Sequence, residues 1–271
     1  MNTDLNLRLE FDAPLRMFVE PESRAEYDNS SLAWIRNAYR PSTVSKLGKQ
    51  MGIDIRSADY AYQIGRLYMR LSEDRPGNLT DAIRNLNQAV VRDQRNFEYR
   101  RQLALAAEQK GEWTQAKRVW ERVLERVPDD AAALCGLGRF AQHQGDVAGA
   151  IEFFEKALKA LPGYSKATDQ LARLLATYPD AAYRDGAKAV ELAEAACRRV
   201  QFEDADYLDT LAAAYAEAGN FAKAIETAKR SIELARLARR MALAAAVEQR
   251  QKLYEEGKPY REVPKKSAAG A

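Results

Sequence analysis

Histidine and cysteine are almost missing from this chain: His143, Cys135 and Cys197 are all that its 271 residues contain. A disulfide framework is thereby excluded, and so few soft ligands leave no basis for a zinc site; no metal and no cofactor are expected. Free cysteine behaves as a small hydrophobe, so both thiols should be buried. The chain also lacks charge of one sign, with 42 Lys and Arg against 39 Asp and Glu and a formal net charge of +3. A nucleic-acid footprint needs basic residues concentrated on one face, which this near balance does not announce. No stretch approaches the roughly 18 consecutive apolar residues of a membrane span. The opening residues carry no basic segment followed by an apolar run, so no secretory leader is expected and a cytoplasmic location is the simplest reading.

No catalytic constellation stands out either. Gly136-Leu137-Gly138 resembles half of a nucleotide-binding loop, but it falls inside a predicted helix and follows no strand. Nothing in the pattern around His143 marks it as a general base, and it is expected at a surface, so the chain is not expected to be an enzyme or to take a small-molecule substrate.

What the chain does have is a hydrophobic content of 46%, enough for a folded core, and an internal period. Gly77, Gly111 and Gly145 are spaced at 34 residues, and Gly219 follows at 74. Five residues after each stands an alanine: Ala82, Ala116, Ala150 and Ala224. Four residues further come Leu86, Trp120, Phe154 and Ala228, while Pro128 and Pro162 are again 34 apart. The pattern describes a helix, a turn and a second helix. Glycine ends the first helix, where a positive φ is commonly required; alanine lets the helices approach; the large apolar residue fills the gap between units; and proline ends the second helix. Ile64-Gly65 with Tyr68, Leu137-Gly138 with Ala141, and Leu211-Ala212 with Tyr215 repeat the corresponding spacing on the first helices.

These residues resemble the tetratricopeptide repeat (TPR) family over about residues 57–237. The resemblance implies an all-α, right-handed superhelical solenoid of about five helix-turn-helix repeats, 58–96, 97–130, 131–164, 165–204 and 205–238. In the first and fourth units the interval from small residue to alanine is 17 rather than 12, which places five extra residues in the stretches 72–78 and 177–186. The segment from Leu174 to Ala196, with Leu208 to Gly219 and Tyr254 to Glu262, is similar to the C-terminal part of many bacterial TPR proteins.

Beyond the repeats, Ile232, Leu237, Met241, Ala244, Ala245 and Val247 continue an apolar stripe to about Tyr254, predicting a capping helix over 239–257. Gly257 and Pro259 end it, and 258–271 reads as a flexible tail. Residues 1–57 form a non-repeat N-terminal arm. Leu5, Leu7, Leu9 and Phe11 alternate with polar residues, which predicts an extended strand that lies on the protein's own surface or docks on a partner. Short helices are expected over 31–39 and 42–51. The turn glycine within 44–53 is compatible with a DNA-binding helix-turn-helix, but the helix that follows has an apolar face of Tyr60, Ile64, Leu67 and Tyr68 where a recognition helix would be polar.

The family resemblance implies a concave groove lined by the first helices and a role as a protein-interaction scaffold or adaptor. The residue after each packed small residue is Arg66, Leu105, Arg139, Arg173 or Ala213, and Gln63, Arg101, Gln102, Gln142, Lys166 and Gln170 should face the same way, with Asp169 and Asp209 as opposing charges. Arg66, Arg101, Gln102, Arg139, Gln142, Lys166 and Arg173 are therefore the candidate partner-binding residues. Arginine's planar fork suits carboxylates, so an acidic segment is the fitting ligand unless these side chains pair with neighbouring Asp and Glu. Arg66 and Gln102 replace asparagines of the chaperone-binding pattern, which disfavours a chaperone tail. An accessory or assembly subunit of a larger complex, a membrane complex included, docking through the N-terminal arm is the alternative. A nucleic-acid-binding regulator is the third reading.

Overall fold

The computed structural model describes residues 56–70, 72 and 77–262. The strand expected at Leu5, Leu7, Leu9 and Phe11 and the helices expected over 31–39 and 42–51 lie outside the described residues. Residues from Ala61 onward form one compact unit, distinct from Met1–Tyr60. Among the described residues there are eleven α-helices and no strand: α1 Ala58–Arg70, α2 Asn78–Arg92, α3 Phe97–Lys110, α4 Trp113–Leu124, α5 Ala131–Gln144, α6 Val147–Ala160, α7 Ser165–Thr177, α8 Gly186–Arg199, α9 Ala205–Glu217, α10 Phe221–Leu237 and α11 Met241–Glu255. Consecutive helices from α2 onward pack on each other, and alternate helices also touch: α3 on α5, α5 on α7, α7 on α9 and α9 on α11. The result is a helical solenoid, in which each helix pair covers the apolar side of its neighbour.

The chain writes its own punctuation. Asn96, Asp130, Asp146, Asp185, Asp204 and Asn220 each accept a backbone N–H from the first turn of the following helix, satisfying donors that the helix leaves open. Gly111 (φ 85°) and Gly145 (φ 81°) end α3 and α5 in the left-handed region, with Glu112 N and Asp146 N donating back to Ala107 O and Ala141 O. Gly77 shares the 34-residue spacing but not the role. It stands before α2 at φ −59°, because the longer first connection separates it from the end of α1.

Ring and notch hold the stack together. A Cβ on Gly138 would lie 2.5 Å from Phe154 Cε1, and one on Gly136 would overlap the Trp120 indole at Nε1. Helix α5 thus takes a ring from α6 on one glycine and a ring from α4 on the other. Gly65 makes the same notch for Leu86. Leu86, Trp120 and Phe154 are fully buried, each contributing roughly 3 kcal/mol by removal of apolar area from water.

Two further connections depart from the regular repeat. Between α7 and α8, the longer connection forms a 3-10 turn, Ala181–Tyr183, and Arg184 donates to the carbonyls of Tyr178 and Pro179 and to Glu217 at the end of α9. Between α10 and α11, the stripe read as continuous is broken: Arg239 is left-handed (φ 59°), and Leu237 and Met241 are exposed rather than part of the core. The chain turns there, and α11 lies back against α10 and α9 with Ala244, Val247 and Tyr254 buried.

The stretch 258–262 corrects the flexible-tail reading. It makes directed contacts with α7, α9 and α11, because Tyr260, Arg261 and Glu262 find partners there that sequence spacing does not reveal. Residues 263–271 lie outside the described residues.

Candidate functional site

The adjoining first helices α1, α3, α5, α7 and α9 carry the candidate binding residues, and the structure divides them into two groups. Arg101, Arg139 and Arg173 are committed to carboxylates of the protein itself. Arg101 Nε donates to Asp130 Oδ2 at 3.0 Å, and its Nη1 reaches Glu98 Oε2 at 3.3 Å. Gln102 Nε2 donates to the other oxygen of Glu98 at 2.9 Å. Arg139 grips Glu108 of α3 with Nε at 2.8 Å and Nη2 at 3.1 Å, while its Nη1 donates to Cys135 Sγ. Arg173 Nη1 donates to Asp209 Oδ2 of α9 at 3.0 Å.

The second group is more open. Arg66 lies over the ring of Tyr62 at 5.5 Å, Gln142 is half-buried and Lys166 is exposed. Of the other positions read toward the groove, Leu105 packs partly into the core and Ala213 is buried. His143, expected at a surface, is half-buried and stacks on the ring of Trp113 with centroids 4.3 Å apart. The candidate N-terminal docking residues Leu5, Leu7, Leu9 and Phe11 fall outside the described residues.

Sequence spacing did not expose Glu98, Glu108, Asp130, Arg250 or Glu262. Asp130 caps α5, and its second task, holding Arg101, depends on the packing of α3 against α5. Glu108 accepts from both Arg139 and Trp120 Nε1 (2.6 Å), joining three helices at one carboxylate. Arg250 of α11 donates to the same Asp209 oxygen as Arg173, so one buried carboxylate faces two guanidinium groups.

The electrostatics follow from burial. Burial pushes the Asp169 carboxyl up to about 7, outweighing the opposing pull of the Arg173 charge, and Asp206 and Asp209 add to the rise. Burial pushes the Cys135 thiol up, and the Cys197 thiol up to about 12, so neither is a ready nucleophile at neutral pH. Among the described residues no group of three or more His, Cys, Asp or Glu is placed to hold a metal ion, and no helix is long and apolar enough to cross a membrane.

Across α11, α9 and α7 runs the extended stretch 258–262. The ring of Tyr260 lies 4.8 Å from the Arg250 guanidinium, and Arg261 Nη1 pairs with Glu217 Oε2 at 2.6 Å. Glu262 N donates to Thr177 O at 2.8 Å, and Thr177 Oγ1 and Arg173 Nε lie 3.4 and 3.8 Å from Glu262 Oε2.

With that geometry in view, comparison with known proteins points one way. The sequence model of the tetratricopeptide repeat matches residues 62–116 and 101–165. Yeast Tom70 is similar over 83% of this chain, with a TM-score of 0.59 and 16% identity; the chain spans 46% of the Tom70 chain, less than half its length. A thermophilic TPR protein of Thermus thermophilus is similar over 71% of this chain and 100% of its own, with a TM-score of 0.57 and 17% identity. At such identities the likeness is one of fold. No curated protein matches the chain.

Proposed function

Because this chain carries tetratricopeptide repeats folded as a helical solenoid, we propose that it is an interaction scaffold or adaptor that holds a peptide or partner segment along its first helices, and that it binds rather than catalyses. The observation that carries this reading is the behaviour of Arg173. It bridges Asp209 in its own wall and Glu262 on an extended stretch of chain, so a first-helix arginine here receives a carboxylate from a crossing segment. An acidic segment is the partner chemistry that fits.

The assignment refines the roles of the candidate residues. Arg66, Gln142, Lys166 and Arg173 contact the partner directly, whereas Arg101, Gln102 and Arg139 shape the wall through their ties to Glu98, Asp130 and Glu108. The repeat units are 58–96, 97–130, 131–164, 165–204 and 205–238, followed by the capping helix; residues 1–57 are a separate arm. A bacterial source and a cytoplasmic location belong to the same proposal.

The test uses an array of acidic peptides against the full chain and a variant carrying Arg66→Glu, Gln142→Glu and Lys166→Glu, none of which strands a buried carboxylate. At least a tenfold loss of peptide binding with an unchanged melting temperature is expected. Unaltered binding would remove the groove from consideration, and loss of a native complex only on deleting residues 1–57 would transfer the role to the N-terminal arm.

A further inference from the structure

Helices α7, α9 and α11 present a face with a built-in occupant. The stretch 258–262 leaves α11 after Gly257 and crosses toward α7, meeting one helix after another. Tyr260 meets Arg250 of α11, Arg261 meets Glu217 of α9, and Glu262 meets Arg173 and Thr177 of α7. The contacts use alternating chemistry at successive residues: an aromatic ring on a guanidinium, a guanidinium on a carboxylate, and a carboxylate on a guanidinium. One main-chain bond, from Glu262 N to Thr177 O, fixes the register. This is how an extended peptide is read by a helical wall.

Two features distinguish this stretch from a permanent part of the core. Its side chains Tyr260, Arg261 and Glu262 are only half-buried, and its ion pairs stand partly in water, where such pairs hold weakly. The floor beneath is polar and not fully spent. Asp209 Oδ1 and Tyr254 Oη are buried without a hydrogen-bond partner among the described residues, although Asp209 is already flanked by Arg173 and Arg250. Tyr260 packs against the apolar cluster of α9, α10 and α11, while Arg261 and Glu262 lie on this polar floor.

We propose that the face formed by α7, α9 and α11 is a binding site for an extended segment of the pattern aromatic–Arg–Glu, and that Tyr260-Arg261-Glu262 is its resident, displaceable occupant. The proposal rests on the groove reading and names both the chemistry taken at this end and what guards it. A partner segment with the same pattern gains the face only by displacing the chain's own, so the local concentration of the tethered stretch sets the threshold for binding.

The experiment is fluorescence anisotropy with a labelled synthetic peptide of residues 258–263, added to the full wild-type chain and to a full-length variant carrying Arg261→Glu and Glu262→Lys. The variant keeps the site and expels its occupant by placing like charges opposite Glu217 and Arg173. At least tenfold tighter binding of the peptide to the variant is expected, with no binding of a control peptide bearing alanine at the Arg261 and Glu262 positions. Equal affinity of the two proteins overturns the proposal, as does a failure of either to bind. A variant that has lost its helical circular dichroism also overturns it, since the stretch would then be part of the fold. The acidic-peptide array reads Arg66, Gln142 and Lys166 instead, so groove binding can survive the loss of this site and the two failures are distinguishable.

Discussion

Arg139 of α5 and Glu108 of α3 meet in a two-pronged ion pair, Nε to Oε2 at 2.8 Å and Nη2 to Oε1 at 3.1 Å, on side chains only 15% and 9% exposed. Trp120 of α4 donates to the same carboxylate. The pair therefore ties the second helix pair to the third where a partner-binding arginine was expected, and this has energetic consequences.

Glu108→Ala leaves the Arg139 guanidinium and the Trp120 N–H without their acceptor in a largely dry place. A destabilisation of about 3–5 kcal/mol is expected, read as a lower urea midpoint. Arg139→Ala should cost a similar amount, and the double variant clearly less than the sum of the two. A loss below about 1 kcal/mol for Glu108→Ala would mean that the pair does not secure this joint.

The notches on α5 give a prediction of opposite sign to helix propensity. In an open helix Gly→Ala gains about 1 kcal/mol, yet a methyl on Gly136 or Gly138 would collide with the ring of Trp120 or Phe154. Each substitution should instead lower stability by about 1–3 kcal/mol, measured by thermal or urea unfolding. A gain in stability at either position would show that the rings yield freely.

Asp169 supplies a pH dependence. Its folded carboxyl titrates at about 7 against 3.8 when unperturbed, so between those values the native state holds a proton that the unfolded chain releases. Its contribution is fully present below about 4 and is lost as pH rises through about 7. Asp169→Asn should remove this loss and leave the variant more stable than wild type at pH 8, by an amount on the order of 2–4 kcal/mol. Parallel stability–pH curves for the two proteins would refute the assignment.

The fold was legible because the period is carried by several residue types at once, each with its own physical duty. Trp120 and Phe154 could be assigned to the core from spacing alone, as could the left-handed ends at Gly111 and Gly145. Register failed where connections lengthen, and Gly77 shows it: the same spacing put the residue before a helix instead of after one. The candidate partner-binding face was half legible. Which way Arg101, Arg139 and Arg173 point follows from the repeat, but whether they are available depends on Asp130, Glu108 and Asp209, which belong to neighbouring units and come within reach only through packing. Glu262 was further out of reach, because a five-residue stretch without periodicity gives no sign of doubling back.

Helix α5 is gripped from both sides, Trp120 wedged against Gly136 and Phe154 against Gly138. It acts as a keystone, since neither flanking helix can slide or roll without first withdrawing an aromatic ring from its slot. Bending of the stack is thereby channelled away from its middle and toward joints without such a double lock.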